Sequence, residues 1–178
     1  MNLPNKLSLT RMALIPLMVA LMYPNSLVCN LLATAVFGIA AFTDYLDGHI
    51  ARKQGIVTDF GKFVDPVADK LLNLSAMIML IQHGVMLSWV VVVILARELC
   101  VDGLRMVAVG HGNVIAAGKL GKIKTVSQIV MLLWLMLSHQ PVMGNVISFL
   151  LTAWVVVITL WSGVDYFIKN GSCLKKMK

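Results

Sequence analysis

Charged positions in this chain are bunched, and the gaps between them are long. No Asp, Glu, Lys or Arg occurs over 12–43, 71–96 or 125–164. Each gap exceeds the roughly 20 apolar residues that one helix needs to cross a hydrocarbon core. Each also carries a turn signal near its middle: Tyr23-Pro24-Asn25-Ser26, Gln82-His83-Gly84 and Ser138-His139-Gln140-Pro141. Taken with its flanks, each gap predicts two helices joined by a short neutral turn. Six helices follow, at 4–23, 27–52, 60–82, 86–110, 119–138 and 145–168. The apolar runs are continuous rather than alternating, which excludes a membrane β-barrel. Backbone groups in lipid must be satisfied within their own segment, which leaves helices. The expected fold class is an all-α integral membrane protein with six transmembrane helices. They form one domain over 1–178, with 1–10 partly interfacial and 170–178 a cytoplasmic tail.

Every Lys and Arg falls outside the three gaps. Lys6 and Arg11 lie near the start. Arg52, Lys53 and Lys62 flank the second connection, and Lys119, Lys122 and Lys124 the fourth. Lys169, Lys175, Lys176 and Lys178 end the chain. The positive-inside rule places both termini and both long connections in the cytoplasm. The start resembles a secretory leader, with Ala33-Thr34-Ala35 as a cleavage site. Against that, Pro24 breaks the apolar run, and the site would fall inside the next apolar stretch.

Composition agrees. Of 178 residues, 59% are hydrophobic and 13% charged, against about 25% charged in an ordinary soluble domain. The net charge of +7 suits a nucleic acid or an anionic lipid surface, and the hydropathy decides for the lipid bilayer with no nucleic acid. Cys29, Cys100 and Cys173 are odd in number and far apart, so they read as free, mostly buried thiols.

Of the eight acidic residues, Asp44, Asp47, Asp65 and Asp69 form two close pairs within 26 positions. The first pair is spaced i,i+3 and the second i,i+4, so each pair shares a helix face. The turn Gln54-Gly55-Ile56-Val57 makes helices two and three antiparallel neighbours, with both pairs at their cytoplasmic ends. Four unpaired carboxylates at a membrane edge are costly, and a cation relieves the repulsion. Oxygen-only donors suit hard divalent ions. Two Mg²⁺ or Mn²⁺ ions balance the four charges, in the arrangement used for in-line displacement at phosphorus. Solvated caps at helix ends would explain one such aspartate, but not four at these spacings. Gly48, Ala51 and Gly61 lie on the same segments and allow close approach, whether of a ligand or of another helix. Arg52 lies one turn beyond Gly48, in reach of a diphosphate. Pro66 is expected to interrupt helix three and free a carbonyl near the site.

Asp44-x2-Asp47-Gly48-x2-Ala51-Arg52-x8-Gly61-x3-Asp65-x3-Asp69 is similar, without departure, to the signature of the CDP-alcohol phosphotransferase family. Further pieces resemble the bacterial branch of that family that uses glycerol 3-phosphate. They are Pro4-Asn5-Lys6-Leu7 with Thr10 and Arg11, Ala96-Arg97-Glu98-Leu99, Gly121-Lys122-Ile123-Lys124-Thr125 with Gln128, and Ser162-Gly163-Val164-Asp165-Tyr166-Phe167. The last piece has Asp165 where that branch carries Glu. The resemblance implies a homodimer in the bacterial inner membrane, with a two-metal site open to the cytoplasm. It also implies transfer of a phosphatidyl group from CDP-diacylglycerol to an alcohol, with release of CMP. Carried over by position, Asp44, Asp47 and Asp65 are metal ligands, and Asp69 is a ligand and the general base. Gly48, Ala51, Arg52, Gly61, Asn5, Thr10 and Arg11 form the CDP side.

A basic cluster bears on the acceptor. Arg97 is expected well inside helix four, and Glu98, Asp102 and Arg105 follow on the same helix. Charges at that depth must face the bundle interior or a wet cavity. An internal Arg–acid lock between helices is the plainer use. The other is a phosphate pocket made by Arg97, Arg105, Lys122 and Lys124, since Arg forks match phosphate oxygens. Choline, ethanolamine or serine need no such pocket; glycerol 3-phosphate, inositol phosphate and phosphatidylglycerol do. The expected reaction is direct transfer to sn-glycerol 3-phosphate, giving phosphatidylglycerophosphate. A cardiolipin synthase or inositol-phosphate transferase of the same family is the nearest alternative. A small cation transporter would need its carboxylates near the midplane, and a structural subunit would not need them at all.

Overall fold

The computed structural model describes the backbone of residues 3–54, 59–110 and 118–175, and the side chains of 9–43, 66–110 and 118–170. Among the described residues there are six α-helices and no strand. They are α1 (Leu3–Met22), α2 (Leu27–Gln54), α3 (Asp59–Gln82), α4 (Ser88–Gly110), α5 (Lys119–Ser138) and α6 (Val146–Lys175), with a 3-10 turn at Val142–Gly144. All six expected helices are present. The expected turn at 54–57 falls largely outside the described residues. Two helical stretches, Lys119–Ser138 and Val146–Asn170, are long and apolar enough to cross a membrane by length and composition. α4 has 23 residues but carries Arg97, Glu98, Asp102 and Arg105.

The chain falls into two compact units. One is Met1–Met86 with Leu132–Pro141; the other is Leu87–Met131 with Val142–Lys178. In the first, α1 packs on α2 and α3. Its buried stripe is Arg11, Ile15, Met18 and Met22, spaced i, i+4, i+7 and i+11 as one helix face requires. The buried residues on α2 and α3 include Ala33, Ala40, Ala68 and Ala76. Small side chains let helices approach closely, which is how helices without a water-driven force pack. In the second unit, α4 packs on α6 through a face that includes Ile94, Val101, Leu104 and Ala108. Val101, Leu104 and Tyr166 form a small core. On α6, Trp154, Val157, Leu160, Trp161 and Val164 are exposed, an apolar face that suits lipid better than water.

The helix ends are chemically specified. Ser26 Oγ accepts from the Cys29 amide at 3.3 Å and caps α2. Asn145 Oδ1 accepts from the amides of Ile147 and Ser148 at 2.9 and 3.2 Å and caps α6. α3 ends in a Schellman turn: the Val85 amide donates to the Leu80 carbonyl and the Gly84 amide to Ile81, both at 2.9 Å. Gly84 has φ +70° there, a conformation that excludes most side chains.

Three expectations are corrected. Pro66 does not interrupt the third helix, which runs unbroken from Asp59 to Gln82 with Pro66 inside it; one missing N–H is tolerated when neighbouring helices hold the segment. α6 runs to Lys175, past the expected end at 168. Lys169 and Asp165 form an i,i+4 ion pair at 2.8 Å, and Asn170 Nδ2 donates to the Tyr166 carbonyl; both support the extra turns. Cys29 is half-buried and Cys100 is exposed, because position 100 lies off the packed face of α4. Cys173 has its side chain outside the described residues.

The turns after α1, α3 and α5 meet within the first unit. His83 Nε2 donates to the Met22 carbonyl at 3.1 Å, and Asn30 Nδ2 lies 3.3 Å from His139 Nδ1. The two imidazoles are 5.6 Å apart. Burial, and then the nearby His83, hold the His139 pKa below its ordinary 6.5. The neutral ring is therefore the folded form. Stability should be complete above pH 6.5 and fall as pH drops through the lowered folded value. Thermal unfolding between pH 7.5 and 5 should show that loss, and His139→Gln should flatten it; an unchanged slope in the variant would place the loss elsewhere.

Candidate functional site

Asp44 and Asp47 lie on α2, and Asp65 and Asp69 on α3, two helices that contact each other. Counted from the connection, Asp47 is seven residues back along α2 and Asp65 six along α3; Asp44 and Asp69 are ten each. The register puts the two pairs at matching levels on neighbouring helices. The side chains of Asp44, Asp47 and Asp65 lie outside the described residues, as do those of Gly48, Ala51, Arg52 and Gly61. Among the described residues, no group of three His, Cys, Asp or Glu gathers as a metal site. Asp69 is the one member of the quartet whose side chain is described. It is half-buried, and its Oδ1 accepts from Asn73 Nδ2 at 3.2 Å. Asn73 Nδ2 also reaches the Asp69 carbonyl at 3.0 Å. Asn73 is 7% exposed, so the contact to Asp69 is sheltered from water.

The donor set fits hard divalent cations. It consists of oxygens alone, its four negative charges match two such ions, and it sits on adjacent helices.

On α1, Arg11 is buried at 2% exposure, in line with the packed stripe rather than at the surface. Arg11 and the exposed Thr10 each have an interaction partner. Asn5 lies on α1 with its side chain outside the described residues. Arg11 therefore belongs to the same compact unit as the aspartates, which suits a role beside them and does not suit a simple surface anchor.

The basic cluster lies in the second unit. Arg97 is nine residues into α4, about 14 Å at 1.5 Å per residue. Its stem passes Gly163 of α6, where a Cβ would stand 3.1 Å from Arg97 Cγ; its Nη2 lies near Gly121 of α5, where a Cβ would stand 3.7 Å away. Arg105 Nε donates to Tyr166 Oη at 3.0 Å, and its guanidinium carbon is 5.5 Å from the Tyr166 ring centroid. Lys122 is exposed on α5. Lys124 is 2% exposed and is ion-paired with Glu98 of α4. Its charge is thus already answered within the protein, which the sequence did not reveal. Asn73 is the residue that sequence reasoning missed beside the site, and the pairings of Glu98 with Lys124 and of Arg105 with Tyr166 are the contacts it missed. Asn73 had a signal, one further i+4 step beyond Asp69 inside an apolar run. Tyr166 lies in the 162–167 segment that carries the resemblance, but nothing in the sequence pairs it with Arg105, 61 positions away.

Comparison with known proteins shows the family. The family model described as CDP-alcohol phosphatidyltransferase matches residues 1–161. A relative from Bacillus subtilis (strain 168) is 44% identical, over 98% of this chain and 97% of its own. One from Rickettsia bellii (strain RML369-C) is 37% identical over 93% of both chains. One from Salmonella choleraesuis (strain SC-B67) is 36% identical over 93% of this chain and 92% of its own. All three are named CDP-diacylglycerol–glycerol-3-phosphate 3-phosphatidyltransferase. Divalent metal ions are the general cofactor of the matched family.

Proposed function

Because the chain belongs to the CDP-alcohol phosphatidyltransferase family, we propose that it transfers the phosphatidyl group of CDP-diacylglycerol to sn-glycerol 3-phosphate, giving phosphatidylglycerophosphate and CMP. The observation that carries this reading is the pair of aspartate pairs at matching levels on α2 and α3. The acceptor rests on the basic residues of α4 and α5 and on what the relatives are named for.

In this reading Asp44, Asp47, Asp65 and Asp69 hold two Mg²⁺ or Mn²⁺ ions. Such ions, when bound, neutralise the diphosphate and stabilise the charge that builds up on the departing CMP. Gly48, Ala51 and Gly61 leave room for the CDP group, while Arg52, Asn5, Thr10 and Arg11 contact it. Asp69 takes the proton from the 1-hydroxyl of the acceptor. That oxygen attacks the β-phosphorus in line, and the bond from the β-phosphorus to the CMP oxygen breaks. Asn73 holds Oδ1 of Asp69, which fixes the carboxylate while a proton is taken. Arg97, Arg105 and Lys122 take the acceptor's phosphate; Lys124 acts through its pair with Glu98. No covalent phosphatidyl-enzyme is needed, and no Ser or Cys lies within the aspartate motif to form one. The chain acts as one catalytic domain of six spans in the bacterial inner membrane, termini and site toward the cytoplasm, and as a homodimer.

The test is CMP release from CDP-diacylglycerol by the purified protein, with an acceptor panel. Release should require sn-glycerol 3-phosphate, stop on chelation with EDTA and return with added Mg²⁺ or Mn²⁺. Faster release with inositol phosphate or phosphatidylglycerol, or release that survives chelation, would contradict it.

A further inference from the structure

The aspartate motif and the arginines of α4 had roles assigned from the sequence; the 162–167 segment of α6 entered only as a resemblance, with no role for Gly163 or Tyr166. Three contacts bring α6 onto the basic cluster within one compact unit. Tyr166 Oη accepts from Arg105 Nε. The Tyr166 ring lies beside the same guanidinium. Gly163, one turn earlier on α6, is buried against the stem of Arg97. Both residues lie beyond residue 161, where the family match ends.

The chemistry of these contacts is specific. A guanidinium has one inner N–H, on Nε, and four outer ones on the two Nη groups. Tyr166 occupies the inner one. Among the described residues the outer ones have no protein partner within hydrogen-bond distance. Held by Nε and by its face, Arg105 loses the freedom to swing and keeps its Nη edge for another partner. That edge is the fork that grips two oxygens of one phosphate. Tyr166 itself is 6% exposed and packed with Val101 and Leu104, so its hydroxyl is a fixed point. Gly163 acts differently. A methyl at 3.1 Å from Arg97 Cγ is tighter than ordinary contact, so any larger residue pushes the Arg97 stem aside. The buried glycine is the room in which that arginine lies.

We propose that Tyr166 and Gly163 are positioning residues for the acceptor, α6 fixing the angle at which Arg105 and Arg97 present themselves to a phosphomonoester. This rests on the reading that those arginines take the acceptor's phosphate. It assigns acceptor recognition in part to the C-terminal helix, outside the aspartate motif. Neither residue touches the reacting phosphorus in this scheme, so their effect belongs in acceptor KM.

Tyr166→Phe keeps the ring and removes only the hydroxyl. It should raise the KM for sn-glycerol 3-phosphate about three- to tenfold, as loss of one charge-assisted hydrogen bond allows, and leave kcat and the CDP-diacylglycerol KM within twofold. Arg105→Ala should raise acceptor KM further, and adding Tyr166→Phe to it should change nothing more. Gly163→Ala provides an independent arm through Arg97, with the same acceptor-only pattern. Equal rises in both KM values, or effects of Tyr166→Phe and Arg105→Ala that multiply, would overturn the positioning role. If Arg105→Ala and Arg97→Ala leave acceptor KM unchanged, the phosphate reading of the arginines fails instead. If Tyr166→Phe does not fold, as judged by its elution in detergent, Gly163→Ala decides alone.

Discussion

Asp69→Asn should lower turnover by about 10²- to 10⁴-fold, the span expected when a positioned base is lost, while CDP-diacylglycerol still binds within a few fold. Asn has the same shape as Asp and keeps an oxygen for Asn73 Nδ2, now 3.2 Å from Asp69 Oδ1. What it lacks is the ability to take the acceptor's proton. The replacement therefore separates chemistry from architecture at one position. Rapid-quench measurement of CMP formation in a single turnover reads the first, and equilibrium binding of a CDP ligand reads the second. Near-normal turnover would remove Asp69 from the base role. Loss of binding together with turnover would make it a metal ligand alone. Asn73→Val should give a milder version, because it removes an orienting contact and not the carboxylate.

The second large effect is on stability. Lys124 is buried and its ammonium is paired with Glu98. Removing one partner of a buried ion pair leaves an unanswered charge and typically costs about 3–5 kcal/mol. Glu98→Gln should therefore lower the thermal midpoint in detergent more than any surface substitution on α5, such as Lys122→Gln. Lys124→Met should do less harm than Glu98→Gln, since Glu98 is 19% exposed and regains some water. The double replacement Glu98→Leu with Lys124→Met should recover much of the loss, as apolar pairs of similar volume commonly do. A thermal midpoint unmoved by Glu98→Gln would mean that the pair does not hold α4 to α5. Acceptor KM in the same variants tells whether the pair also serves the phosphate site.

These two cases mark where the sequence is informative. Helix positions were legible because their ends are written in local chemistry: Pro24 and Asn25, Gly84, and His139 with Pro141 all sit in observed turns. The quartet of aspartates was legible because helical spacing alone puts each pair on one face. Asp69 could be singled out that way, but its partner Asn73 was passed over among apolar residues. Helix rotation was not legible. An apolar helix with charges at several angles does not say which angle meets a neighbour. So Lys124 read as part of a phosphate pocket when it is locked to Glu98, and Cys100 read as buried when it is exposed. Contacts between distant segments, such as Arg105 with Tyr166, depend on which helices neighbour each other and had no local signal. The overrun of α6 is the opposite case, a local one: the i,i+4 spacing of Asp165 and Lys169 was in plain view.

The central claim is that the four aspartates share paired divalent ions. Crystals grown with Mn²⁺ and CDP-diacylglycerol, measured at the manganese absorption edge, test it most directly. Two anomalous peaks about 4 Å apart, each touched by carboxylates from both α2 and α3, are the expected result. Strong diffraction with no peak at Asp44, Asp47, Asp65 and Asp69, or with manganese bound only elsewhere, would contradict it.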